Sequence, residues 1–108
     1  MGSPGRRPRK RYIGFRVEAE RGPPVERTAM VDALDTATRR ADLPDRRRLT
    51  VFTGDVGIVR CDQGEREAMI AALASIDRLD GRPARVETLV TSGTIKKVKG
   101  HLGLDRDV

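Results

Sequence analysis

The chain has 108 residues and a formal net charge of +6, which means one modest domain with a cationic surplus. A chain of this length buries roughly 65% of the surface its unfolded form exposes, enough for a single core. No run approaches the roughly 20 apolar residues of a helical membrane span, no apolar stretch follows the basic start as in a secretory leader, and the lone Cys61 excludes an intrachain disulfide; a soluble, reducing, cytoplasmic setting is expected.

The first eleven residues, MGSPGRRPRKR, hold Arg6, Arg7, Arg9, Lys10 and Arg11 and no acid. Residues 1–10 are expected to form a flexible basic arm, with a folded domain over 11–103 and a tail over 104–108. Such an arm suits a polyanionic partner, nucleic acid first. The plainer alternative is a solubilising tail on a domain that binds a small ligand or another protein.

YIGFRVEA (12–19) alternates: Ile13, Phe15, Val17 and Ala19 fall on one face, and Tyr12, Gly14, Arg16 and Glu18 on the other. That period of two predicts a half-buried strand. GPP at 22–24 breaks it, with Pro24 suited to the first turn of a helix. Met30, Ala33, Leu34, Ala37 and Ala41 then recur at helical spacing up to Pro44. RLTVFT and VGIVRCD read as a strand pair joined at Gly54-Asp55. The stretch EREAMIAALASIDRLDG reads as a second helix with Glu65 and Glu67 in its first turn and Gly81 as its stop. ARVETLVTS predicts a fourth strand, and Ile95, Val98 and Leu102 predict a short last helix stopped by Gly103.

The order β-α-β-β-α-β plus a terminal helix predicts an α+β, ferredoxin-like fold. A four-stranded antiparallel sheet would carry two helices on one face and leave the other free. The free face, with Tyr12 and Gly14, is expected to pair with a copy of the chain or with another protein. The fold is widely shared and does not name a function.

Catalytic groups are sparse. A metal site needs several converging ligands, and the chain has one histidine, His101, and one cysteine, Cys61. Cys61 lies in an apolar strand and reads as a small buried hydrophobe. His101 lies near a helix end that favours positive charge. Asp42 and Asp45 read as solvated loop acids. An acylphosphatase-like activity would use an asparagine to position water, and the sequence has none.

The common RNA-binding variant of this fold stacks bases on aromatics of its first and third strands. Here the aromatics are Tyr12, Phe15 and Phe52 alone, and the third strand has none. RNA binding would therefore rest on phosphate contacts. The candidates are the arm (Arg6, Arg7, Arg9, Lys10, Arg11), the run Arg46-Arg47-Arg48, whose role stays open between contact and solvated loop, and the last helix. In TSGTIKKVKG, Ser92 or Thr94 can cap that helix and Gly93 lets a backbone approach closely. Lys96 and Lys97 point away from the apolar stripe, Lys99 lies at its flank, and the helix start suits a phosphate.

RYIGFRVE, GIVRC and LVTSGTIKKVK together resemble the ribonuclease P protein component 2 family of archaea and its eukaryotic relatives. The resemblance spans about residues 9–102. It implies a non-catalytic subunit of an RNA-based endoribonuclease that removes the 5′ leader from precursor tRNA, with magnesium serving the RNA and no cofactor held by the protein. It also implies a second protein subunit as partner. By motif, Ser92, Gly93, Thr94, Ile95, Lys96 and Lys97 match the C-terminal signature, and Arg11, Tyr12, Ile13 and Phe15 match the first strand.

Overall fold

A computed structural model of the chain describes residues 9–43 and 48–104. The alternating segment becomes β1 (Lys10–Ala19), followed by α1 (Arg27–Arg40), β2 (Arg48–Phe52), β3 (Val56–Asp62), a 3-10 turn (Gln63–Glu65) and α2 (Arg66–Ala74). Then come β4 (Arg78–Leu79), β5 (Arg82–Ser92) and α3 (Ile95–Leu102). The result is an α+β fold with three helices and one antiparallel sheet, ordered β2-β3-β1-β5-β4.

The sheet has five strands, one more than the four expected. The difference arises in residues 75–81. Helix α2 stops at Ala74, and Gly81 is not its cap. Asp80 and Gly81 both take positive φ, 55° and 76°, and turn the two-residue β4 back onto β5. Two successive positive φ values are what a tight type I′ hairpin demands, and Asp-Gly is a sequence that tolerates them. Helix α1 also differs at both ends. Its N-cap is Glu26, so Pro24 precedes the first turn, and Asp42 at φ 56° ends it before Pro44. The amides of Leu43 and Asp42 reach back to the carbonyls of Thr38 and Arg39 at 3.0 and 3.1 Å. This is the six-to-one and five-to-two pairing of a Schellman stop, with aspartate where glycine is usual.

One face of the sheet carries the main core. Ile13, Phe15 and Val17 of β1 join Val59 and Cys61 of β3 and Val86 of β5 beneath Met30, Leu34 and Ala37 of α1 and Met69, Ala72 and Leu73 of α2. The opposite face was expected to be free, and it is partly covered. Helix α3 folds back onto β1 and β5 there. Val98 is fully buried, as is Ile58, the register partner of Gly14, and both lie outside the main cluster. Val98 gathers with Val90 and Leu102 over Gly14 as a second, smaller core. Each such aliphatic side chain is worth roughly 1.5–3 kcal/mol when fully buried.

Gly14 is the seat of this second core. A Cβ there would lie 2.8 Å from Val98 Cγ1, 2.9 Å from Val90 Cγ1 and 3.2 Å from Leu102 Cδ1. A register shift between Gly14 and Phe15 in the β1–β5 ladder sets Val90 opposite Gly14. A bulge of this kind re-aims side chains across the sheet.

Candidate nucleic-acid interface

Helix α3 forms because Ile95, Val98 and Leu102 make one apolar stripe, in which Val98 is fully buried and Ile95 and Leu102 are half-buried. Its stop is Gly103 at φ 74°, with the amides of Leu104 and Gly103 donating to the carbonyls of Lys99 and Gly100 at 2.8 and 3.2 Å. Burying that stripe turns Lys96 and Lys97 outward, where both are exposed, and leaves Lys99 half-buried on the flank. His101 lies exposed in the last turn beside Lys99, where the negative end of the helix dipole favours positive charge.

The helix start is open. Thr94 occupies the N-cap with extended backbone, and its side chain makes no capping bond. The Ser92 hydroxyl instead accepts from the Thr94 amide at 3.2 Å, one step short of the helix. The first-turn amides of Ile95, Lys96 and Lys97 therefore carry no side-chain cap. Unpaired amides and a positive dipole end together favour an anion. Gly93 is exposed, and the Arg11 guanidinium packs against it, with Nη1 3.4 Å from where a Cβ would be. Its backbone is not in the positive-φ region, so what the glycine supplies is room for Arg11.

The cations expected from the first strand have separate fates. Arg6 and Arg7 lie outside the described residues, as do Arg46 and Arg47. Arg9 is exposed, and its carbonyl accepts from the Gln63 amide at 2.7 Å, tying the strand start to the 3-10 turn. Lys10 is committed to a partner: its Nζ lies 2.7 Å from Asp62 Oδ1. Asp62 also caps the 3-10 turn, with Glu65 returning a bond to the Asp62 amide at 3.4 Å. Lys10 thus neutralises a structural acid. Arg11 is half-buried, and its Nε is shielded from water without a hydrogen-bond partner.

Reasoning from the sequence missed Arg60. Its Nε is likewise shielded and unpartnered. It lies on the α3 side of β3, with Tyr12 of β1 and Arg48 of β2 as register partners. The signal was present in the alternation of GIVRC, which puts Ile58 and Arg60 on the face opposite Val59 and Cys61.

Cys61 is buried in the main core. Burial, followed by the nearby Glu65 and Asp62 carboxylates, pushes its thiol up from 9.0 to about 11. It is therefore a packed side chain rather than a nucleophile. Among the described residues no three His, Cys, Asp or Glu side chains gather as a metal site would require. Asp42 serves the α1 stop, and Asp45 lies outside the described residues.

Residues 45–102 match the Rpp14/Pop5 family. Similar curated proteins carry the name ribonuclease P protein component 2. The one from Archaeoglobus fulgidus is 33% identical over 100 residues, covering 89% of this chain and 90% of that protein. The one from Methanocorpusculum labreanum is 31% identical over 99 residues, covering 89% and 67%. The one from Aeropyrum pernix is 32% identical over 99 residues, covering 85% and 80%. Among solved structures, a chain of yeast ribonuclease MRP superposes with a TM-score of 0.63 at 13% identity, over 93% of this chain and 95% of that one. That likeness is one of fold.

Proposed function

This chain belongs to the Rpp14/Pop5 family, and from that premise we propose that the surface around α3 is where it holds the RNA of its complex. The chain is a non-catalytic protein subunit of ribonuclease P, part of a ribonucleoprotein with RNA and protein partners. Its role in that complex is to bind and organise the RNA that removes the 5′ leader from precursor tRNA. Magnesium serves that RNA, and the protein itself holds no cofactor. The setting is cytoplasmic.

One observation carries the assignment of the surface. Helix α3 is locked to the sheet by Val98 while its uncapped start, Lys96 and Lys97 face outward. A rigid, positively charged helix start is a preorganised phosphate site. Arg11, Ser92, Gly93 and Thr94 border that start, Lys99 extends it, and Arg6, Arg7 and Arg9 continue the charge into the arm. The four long strands, ordered β2-β3-β1-β5, fit a ferredoxin-like frame to which β4 is added at the edge. With α3 covering part of the second face and RNA assigned to the rest, pairing with the second protein subunit or with another copy falls to the β2 edge or the outer helix surfaces.

Replacing Lys96 and Lys97 together with alanine tests the surface. The salt dependence of binding to transcribed ribonuclease P RNA should flatten by about 1.4–1.8 in log–log slope, two phosphates' worth. An unchanged slope removes α3 from the RNA interface. The rival reading is a protein-interaction domain with a solubilising basic arm, under which deleting residues 1–10 leaves RNA binding untouched.

A further inference from the structure

The α3 side of the sheet is arranged in cross-strand rows. Lys10 stands opposite Asp62; Tyr12 stands between Arg60 and Ser92; Gly14 stands between Ile58 and Val90. The first row is an ion pair at 2.7 Å, and the third is the apolar seat of α3. The middle row contains a charge that none of the described residues answers. Arg60 is half-buried, its Nε is shut off from water, and it makes no hydrogen bond or ion pair among the described residues.

Buried donors in folded proteins almost always have a partner, and one that does not calls for an explanation. The surroundings of Arg60 indicate which kind of acceptor is absent. Its register partner in β2 is another arginine, Arg48. Asp62, two residues along β3 on the same face, is engaged by Lys10 and by the turn it caps. On the far side of Tyr12, Ser92 leads into the uncapped start of α3 with Lys96 and Lys97. A lone carboxylate from a protein would leave most of this charge unanswered, whereas a polyanion would meet all of it.

We propose that Arg60 and Tyr12 form a nucleotide seat beside α3, with Arg60 taking an RNA phosphate and the Tyr12 ring supporting the adjoining base or ribose. This inference rests on the RNA-binding reading above and extends it from the helix onto the sheet. Arg60 and Ser92 are separated by two strand spacings, roughly 10 Å, so a short RNA segment can span from Arg60 to the α3 start. The guanidinium fork suits two phosphate oxygens. A single ring offers a base a stacking face without demanding a sequence. Tyr12 is the one aromatic on this side of the sheet, since Phe15 is in the main core and Phe52 stacks on it.

The test compares wild type, Arg60→Gln, Tyr12→Leu and the Lys96/Lys97 double variant for binding to transcribed ribonuclease P RNA across a salt series, with thermal melts of each protein. Arg60→Gln should weaken binding about tenfold or more and lower the log–log salt slope by about 0.7–0.9, one phosphate. Its melting temperature should hold or rise, because an unanswered charge has been removed. Tyr12→Leu should weaken binding about fivefold or more with the slope unchanged, the mark of a contact without charge. If the lysine variant loses affinity while Arg60→Gln binds as wild type does, the seat is refuted and the RNA reading stands. If Arg60→Gln loses affinity and melts lower, Arg60 is a structural residue and the seat is refuted. If wild type does not bind the RNA, the seat and the reading fall together.

Discussion

Gly14→Ala should loosen α3 from the sheet, and the size of the effect follows from three distances. The new methyl would lie 2.8 Å from Val98 Cγ1, 2.9 Å from Val90 Cγ1 and 3.2 Å from Leu102 Cδ1. Carbon atoms rest at about 3.5–4.0 Å, so the helix must lift by most of an ångström or Val98 must leave its rotamer. Overpacking of this kind costs about 1–3 kcal/mol, while replacing glycine inside a strand returns about 0.5–1 kcal/mol. A net loss of about 1–2 kcal/mol corresponds to a fall in melting temperature of roughly 5–15 °C for a domain of this size. Gly64→Ala is the control, because a Cβ there meets nothing within 4 Å. Removing two methyls in Gly14→Ala/Val98→Ala should relieve part of the clash, so the double-mutant cycle should show a coupling of about 0.5–2 kcal/mol. If Gly14→Ala melts with Gly64→Ala, or if the cycle is additive, α3 is not seated on Gly14. The same variant should weaken RNA binding, since the lysines ride on the displaced helix.

Two further outcomes follow from the core and the turn. Gly81→Ala should destabilise the protein by about 1–2 kcal/mol, because an L-residue must take the left-handed conformation there; urea denaturation measures it, and Gly64→Ala again supplies the baseline. Cys61 should resist a thiol reagent at pH 8 in the native protein and react at once in urea. Its thiol is raised from 9.0 to about 11, so the folded state keeps a proton that the unfolded state gives up. Stability should fall as pH rises from about 9 to about 11, by up to about 3 kcal/mol more in wild type than in Cys61→Ala. Equal pH profiles for the two proteins would contradict that environment.

The main core was readable in advance because both of its periodicities are clean. Ile13, Phe15 and Val17 alternate, and Met30, Leu34 and Ala37 recur along a helix, and the structure buries all six. The hairpin at Asp80-Gly81 was missed for a physical reason: the apolar residues Met69, Leu73 and Ile76 keep helical spacing past the end of α2. The spacing survives because Ile76 and Leu79 still face the core after the helix has ended. The Asp-Gly pair was the contrary signal, since it serves a tight hairpin better than a helix stop. The second core was illegible for a different reason. Nothing in a glycine on the polar side of a strand indicates that a helix eighty residues later will pack on it.

Charge shows the same limit most sharply. Counting cations singles out Lys10, but strand register pairs it with Asp62. The same count passes over Arg60, the single cation of β3. A cation bears on a polyanion only to the extent that its own fold leaves it unanswered, and that is a property of register. Tyr12 opposite Arg60 and Lys10 opposite Asp62 belong to one ladder, two residues apart. Shifting that ladder by a single residue would send every one of these side chains to the other face. The buried alternation of Ile13, Phe15 and Val17 forbids such a slip. The main core therefore does more than stabilise the domain: by fixing the register of β1 on β3, it determines which arginine is left without a partner among the described residues.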